Sequence, residues 1–429
     1  MNVAFVWLAL GVVFLLPFID PRRPRRLLHL DLLVLVAFAA PIMAPSYFKL
    51  SGGSPKVAVA CVHLGLAYLI VRMLLAGFRP RHDRGPLVPL LPTSLLAAAT
   101  VLLVVLRLGY VLAVDPLLVD TGGAGVIGAE RITHGQPLYG ERFSSDLPPH
   151  TDTYGPLLYL AYVPFEQVFP VGDHYWQGGA ERAAAVAFDL LTMLALLALG
   201  RRLRQGAEGR RLGVALAFAW AAYPYTFYVM SYGFNDALVA LLLVCTLLVL
   251  SSPPARGLLA ACAAGTKFAP AALAPLFATG TGGERRGRSA IVFAVVFAAV
   301  LVAAVVPFIP DGGLSELYHR TFGYQEVRGD SCCTLWSVVP GRHWLQLPLQ
   351  VAVGALAIAV AFVPRRRTVA QVAALGAAVL LGVELTLSNW NPWYILWFAP
   401  LVLVALLAVH GTAVEAPMPA RRSARARVA

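Results

Sequence analysis

Charge is scarce in this sequence. Only 13% of its residues are Asp, Glu, Lys or Arg, about half the roughly 25% of a soluble domain. The other side of that deficit is a 59% hydrophobic composition, and an ordinary soluble globular chain is excluded. Acidic residues are fewer than basic ones, 22 against 34. Cysteine is sparse too: the five present show no metal-ligand spacing. Cys61, Cys245 and Cys262 sit in apolar runs as packing residues. Cys332 and Cys333 are adjacent, which disfavours ordinary bridge geometry. The N-terminal apolar run lacks a basic start and a small-residue cleavage site, so it reads as a retained helix and not a leader. No internal repeat is evident, in contrast to many secondary transporters.

What is present is a succession of apolar runs, near 3–18, 28–48, 57–77, 90–114, 181–200, 212–229, 235–251, 289–308, 344–363, 369–388 and 393–410. Such runs cross about 30 Å of hydrocarbon. Between them stand arginine clusters at Arg22–Arg26, Arg79–Arg84, Arg201–Arg211, Arg285–Arg288, Arg365–Arg367 and Arg421–Arg427. Short basic punctuation of this kind follows the positive-inside rule. The net charge of +12 therefore reports orientation against anionic membrane lipids and excludes nucleic acid as the partner.

Placing every cluster on the cytoplasmic side yields an all-α polytopic transmembrane bundle of about eleven spans. The N-terminus is then outside and the C-terminus inside. Two apolar stretches resist this threading. Residues 155–170 carry Pro156, Pro164 and Glu166 and are expected at the outer interface, because a full crossing would strand Arg201–Arg211 outside. Residues 256–278 are interrupted by Gly265, Lys267 and Pro270 and are expected to be broken and re-entrant. The expected organisation is 1–80 as additional N-terminal helices, 81–410 as the catalytic core, and 411–429 as a basic cytoplasmic tail. The outer loops 115–154 and 310–343 exceed what turns require, so chemistry is expected there and at outer helix ends.

Asp115 and Asp120 follow the fourth run closely. A carboxylate at a membrane edge can serve as a general base or as a solvated flanking acid. Asn235 and Asp236 either cap a helix or belong to a site. Lys267 is an intramembrane charge, for which a functional role is the default over a snorkelling or paired lysine. Trp390, Trp393, Tyr394 and Trp397 suit an aromatic belt and equally a stacking surface. The stretch Glu316–Arg328, with His319, Arg320 and Arg328, mixes cations and aromatics as a phosphate clamp would, or forms a solvated face. Arg107, His63 and Glu384 are expected as buried polar pairs.

Taken in order, four motifs resemble a known family. They are the Asp120 region through Gly-Gln-Pro-Leu-Tyr139 and Asp152-Thr-Tyr154-Gly-Pro, then Ser231-Tyr-Gly-Phe-Asn235-Asp236, Ala264-Gly-Thr-Lys267-Phe-Ala-Pro270, and Ser388-Asn-Trp390-Asn391-Pro392-Trp393-Tyr394. The chain resembles the polytopic glycosyltransferases of the C-type fold. The likeness is to family 87, which includes polyprenyl-phosphate-mannose-dependent α-mannosyltransferases of actinobacteria. One departure is Asn391-Pro392, where members often carry histidines.

The resemblance implies sugar transfer, mannose or else arabinofuranose, from a polyprenyl-phospho-sugar to a glycolipid or glycan acceptor. The reaction would run on the extracytoplasmic face of the plasma membrane. Asp120 is implied as the acidic catalytic residue that takes the acceptor proton, with Asp115 as fallback. Lys267, His319, Arg320 and Arg328 would meet the donor phosphate. Tyr154, Asn235, Asp236, Asn391, Trp393 and Tyr394 would bind substrate. No metal or cofactor is called for. The rival class is a lipid flippase or transporter.

Overall fold

The computed structural model describes residues 3–42, 55–80, 91–114, 119–144, 147–171, 178–282, 286–329, 334–339, 341 and 343–409. Asp115, Cys332, Cys333 and the 411–429 tail lie outside the described residues. Among the described residues there is no strand, only an isolated antiparallel bridge between Gly282 and Arg366. The protein is an all-α bundle.

In chain order the helices begin with α1 (Val3–Leu15), α2 (Leu27–Ala37), α3 (Pro55–Phe78), α4 (Thr93–Ala113), α5 (Asp120–Thr133) and α6 (Pro156–Val168). They continue as α7 (Gly179–Leu203), α8 (Gly206–Ala222), α9 (Pro224–Ser231), α10 (Asp236–Leu248), α11 (Pro253–Thr266) and α12 (Ala274–Thr279). The last are α13 (Arg286–Val305), α14 (Gly313–Tyr318), α15 (Tyr324–Val327), α16 (Leu335–Val338), α17 (His343–Phe362), α18 (Val369–Thr386) and α19 (Ile395–Leu407).

The described part of each expected apolar run falls largely on a helix. Among the described residues, six helices are long and apolar enough to cross a membrane: α3, α4, α7, α13, α17 and α18. A seventh span arises if α8 and α9 count together, although they bend by 58° where Pro224, lacking an N–H, starts a new helix. The remaining apolar helices, α10 and α19 among them, are shorter.

Close helix packing uses small residues. A Cβ added at Gly200 of α7 would stand 2.3 Å from the backbone of Gly213 in α8, so these two helices touch backbone to backbone. The N-terminal helices are tied to the rest of the bundle: Tyr223 and Tyr225 donate to the carbonyls of Leu35 and Val36 at 2.8 and 3.1 Å. Asp31 of α2 receives Arg72 of α3 through two hydrogen bonds of 2.6 and 2.7 Å, and the Tyr68 hydroxyl at 2.7 Å.

Arg107 is a buried partner, as expected. It bonds Asp189 of α7 at 3.1 Å and the Ala221 carbonyl of α8 at 3.1 Å, while Trp220 donates to the same carboxylate at 2.9 Å. Removing one member of a buried ion pair strands the other charge, at a cost of about 3–5 kcal/mol. Arg107→Met is therefore expected to lower the thermal unfolding temperature in detergent markedly. The double variant Arg107→Met/Asp189→Leu should recover most of the loss. No recovery would mean that the pair is not what holds α4, α7 and α8 together.

Described arginines of the Arg201–Arg211 and Arg365–Arg367 clusters gather at one end of the bundle. Arg204 donates to the Ala408 carbonyl at 2.8 Å, Arg202 to Ser251 at 3.1 Å, and Arg367 to the Gly280 carbonyl at 2.6 Å. Arg256, at the start of α11, reaches the Ala278 carbonyl at the end of α12 at 2.9 Å. The 256–278 segment thus begins and ends at the same level, and its broken middle at Lys267 is the far tip. With 14 residues in α11, at 1.5 Å per residue, that tip stands about 20 Å above the arginine-rich end. Residues 155–170 form α6, whose 13 residues reach only about 20 Å, too short for a crossing.

Candidate active site

The site forms at the end opposite those arginines, where six chain segments converge. They are the start of α5, the loop before α6, the start of α10, the break after α11, the end of α15 at Arg328 and the turn before α19.

Asp120 and the residues after it fall in the expected outer loop 115–154, and the structure corrects that expectation. Residues 120–133 are helical despite four glycines, each of which costs about 0.8–1 kcal/mol relative to Ala in a helix. Packing explains the helix. An added Cβ would lie 2.3 Å from the Gly233 carbonyl at Gly122, 2.9 Å from the Tyr162 ring at Gly125 and 2.1 Å from the Tyr159 ring at Gly128. These positions share one face, so the glycines admit protein side chains, not substrate. Asn235, fully buried, donates to the Thr121 carbonyl at 3.0 Å. The helix start that carries Asp120 is thereby locked, and Asp120 itself is exposed.

Lys267 and Asp236 form a buried ion pair of 2.7 Å. The same oxygen, Oδ1, accepts Trp397 Nε1 at 2.7 Å, and Oδ2 receives no hydrogen bond among the described residues. The ammonium group sits over three rings, 5.4 Å from Tyr154, 5.6 Å from Tyr394 and 5.4 Å from Trp397. Aromatic faces attract a cation, most strongly where water is excluded. Asp120 and Arg328 both lie within electrostatic reach of Lys267 and of Tyr154. Tyr394 stacks on Trp397 at 4.2 Å, and Trp393 stacks on Phe234 at 4.5 Å. Asn391 donates to Asn389 at 2.9 Å.

Tyr154 lies in the loop before α6 and is pinned on both sides. Its carbonyl accepts the Tyr139 hydroxyl at 2.7 Å, and its N–H donates to the Tyr159 hydroxyl at 3.2 Å. Burial, reinforced by the Asp120 charge, pushes the Tyr154 phenol well above its usual range, so it is a hydrogen-bond donor and not a phenolate at neutral pH.

The structure therefore brings together Asp120, Tyr154, Asn235, Asp236, Lys267, Arg328, Trp393 and Tyr394. It sets His319 and Arg320 apart, in an outer pocket on a π-helical turn (His319–Gly323). Arg320 is engaged there by Asp152 at 3.2 Å and Glu316 at 3.5 Å. Of the residues expected as buried polar partners, His63 accepts from the Leu335 N–H at 3.2 Å and Glu384 from Trp390 at 2.9 Å.

Sequence reasoning passed over Glu181 and Tyr162. Both are buried beside α5, and neither side chain has a hydrogen-bond partner among the described residues. The one available signal was an acid at the outer end of an apolar run.

In a comparison with known families, the family model for glycosyltransferase family 87 matches residues 153–388, more than half of the chain. That span holds Tyr154, Asn235, Asp236, Lys267 and Arg328, and leaves out Asp120 and the turn before α19. A comparison with curated proteins finds no match.

Proposed function

Because this chain belongs to glycosyltransferase family 87, and is accordingly a membrane glycosyltransferase, we propose that its donor is a polyprenyl-phospho-sugar used on the extracytoplasmic face. One observation carries this reading: the buried Lys267–Asp236 pair, boxed by three aromatic rings, shares its neighbourhood with Asp120 and Arg328. A base and two cations thus meet in an apolar, aromatic setting that suits a lipid-linked phosphate.

In the proposed reaction an acceptor hydroxyl attacks the anomeric carbon of the donor. A new C–O bond forms as the bond from that carbon to the phosphate oxygen breaks. Asp120 takes the hydroxyl proton. The leaving polyprenyl phosphate keeps the electron pair, and Lys267 and Arg328 meet its charge. Tyr154, Trp393 and Tyr394 provide rings and Tyr154 a hydroxyl donor for the sugar; Asn391 adds an amide nearby. Asn235 positions the start of α5. Arg320 is already engaged by two carboxylates, so the phosphate role falls to Lys267 and Arg328. Mannose, with inversion at the anomeric carbon, is the proposed sugar, and arabinofuranose the alternative.

Purified full-length protein in detergent should transfer radiolabelled mannose from polyprenyl-phospho-mannose to a membrane glycolipid extract. It should not use GDP-mannose. Transfer from the nucleotide sugar alone would sink the lipid-donor proposal, and transfer from polyprenyl-phospho-arabinofuranose alone would replace the sugar. Facing can be read separately. On intact cells, an impermeant maleimide should label Glu141→Cys, which is exposed two residues after Tyr139, the residue that pins Tyr154, and should label the exposed Arg366→Cys only after lysis. The reverse pattern would move the site to the cytoplasmic face.

A further inference from the structure

Outside the reaction centre, the two outer loops clasp each other around an open pocket of about 490 Å³ lined by His150, Gly312, Ser315, Glu316, His319 and Arg320. Its volume falls within the roughly 300–1,000 Å³ of small-molecule sites. We propose that this pocket is a subsite for a neutral sugar unit of the acceptor glycan, an assignment that rests on the glycosyl-transfer reading above.

Charge is the first argument. Among the described lining residues the one guanidinium, Arg320, is matched by two carboxylates, the buried Asp152 at 3.2 Å and Glu316 at 3.5 Å, and it also donates to the Gly140 carbonyl. Among the described lining residues no unmatched positive charge remains to hold a phosphate, and a lipid phosphate would meet net repulsion from them. A neutral polyol meets none.

The hydrogen-bonding inventory is the second. Glu316 uses Oε2 to accept the Gly312 N–H at 3.1 Å and retains further acceptor capacity. Ser315 contributes a hydroxyl, and His150 and His319 contribute ring nitrogens that both donate and accept. Closely spaced donors and acceptors of this kind match the neighbouring hydroxyls of a sugar ring.

A third observation is the backbone of His150. Its φ is +65°, a left-handed conformation that non-glycine residues rarely hold and that clusters at functional positions. The conformation lays the imidazole against Tyr324, with ring centroids 4.8 Å apart and planes 28° from parallel. The result is a flat plate on the pocket wall.

Position is the fourth. Asp152 and Tyr154 are two residues apart, so the clasp lies within about 7 Å of backbone from the aromatic box around Lys267. On the other wall, Phe322 of the π-helical turn stacks at 4.0 Å on Phe268, the residue after Lys267. Thr153 is held by the Thr321 carbonyl at 3.4 Å and by Gln325 at 2.9 Å. An acceptor with its attacking hydroxyl beside Asp120 can therefore rest its preceding sugar in the pocket.

The test reads binding directly. Full-length protein in nanodiscs is titrated with methyl mannopyranosides, glucopyranosides and arabinofuranosides and their disaccharides, using saturation-transfer NMR. Citronellyl phosphate serves separately as the lipid-phosphate probe. Two variants remove pocket groups: His150→Gly, which tolerates the positive φ, combined with His319→Ala, and the single exposed Ser315→Ala. At least one glycoside should bind wild type. The double variant should weaken that binding by about tenfold or more, and Ser315→Ala by a smaller factor, while citronellyl phosphate binds as before.

Three results would overturn the proposal: no glycoside signal in wild type, glycoside binding unchanged in both variants, or loss of citronellyl phosphate in step with the pocket substitutions. The last would make the pocket a phosphate site. These outcomes are distinct from failure of the transfer reading, in which wild type moves no sugar from any lipid donor.

Discussion

Replacing Asp120 by Asn is expected to lower turnover by at least about 100-fold, because general-base contributions are typically 10²–10⁴-fold. Asn keeps the size and hydrogen bonding of the side chain and removes only its capacity to take a proton, so chemistry is separated from packing. The frame around it should survive. The start of α5 is held by the Asn235–Thr121 bond of 3.0 Å and by the contact of Gly122 with the Gly233 carbonyl, neither of which uses the carboxylate. Binding of citronellyl phosphate should be nearly intact. Asp115→Asn is assayed in parallel: should it be dead while Asp120→Asn runs at near wild-type rate, the base is Asp115. Should both variants retain activity, the base mechanism fails.

Lys267→Met is expected to cost about 10²–10³-fold in turnover, the magnitude associated with removing a preorganised group that meets developing charge. It should also weaken citronellyl phosphate binding. The single variant is compromised as evidence, because it leaves Asp236 buried without its partner, at about 3–5 kcal/mol. The informative variant is Lys267→Met/Asp236→Asn, which removes both charges and should unfold near the wild-type temperature. Arg is no conservative control here, since a planar fork does not fit where a compact ammonium sits over three rings. If the folded double variant transfers sugar at near wild-type rate, the lysine is structural, and Arg328 alone would be left to meet the phosphate.

Much of the architecture was legible in one dimension, because it follows from solvent. Apolar runs must be buried or face lipid, and their lengths mark the helices. Arginine clusters cannot be distributed across both faces without cost, so they sorted the segment ends; Arg204, Arg256 and Arg367 do stand together at one end. The break at Lys267 was legible too, because Gly265, Pro270 and an isolated cation interrupt an apolar run and each opposes a continuous membrane helix.

The candidate site required the tertiary structure. Lys267 and Asp236 are 31 residues apart, Trp397 lies 161 residues from Asp236, and Arg320 lies 168 from Asp152. Nothing local encodes such pairings; they depend on how helices of different lengths stack. The same cause explains α5. Its glycines lower helix propensity by the local measure, but packing of Tyr159, Tyr162 and the Gly233 carbonyl into the space they leave decides the conformation. Composition and charge placement thus determined that this is a membrane bundle, and on which end its arginines lie. Which cation meets which carboxylate was decided only by packing, because burial makes each unpaired charge costly and so selects the arrangement in which buried charges find partners.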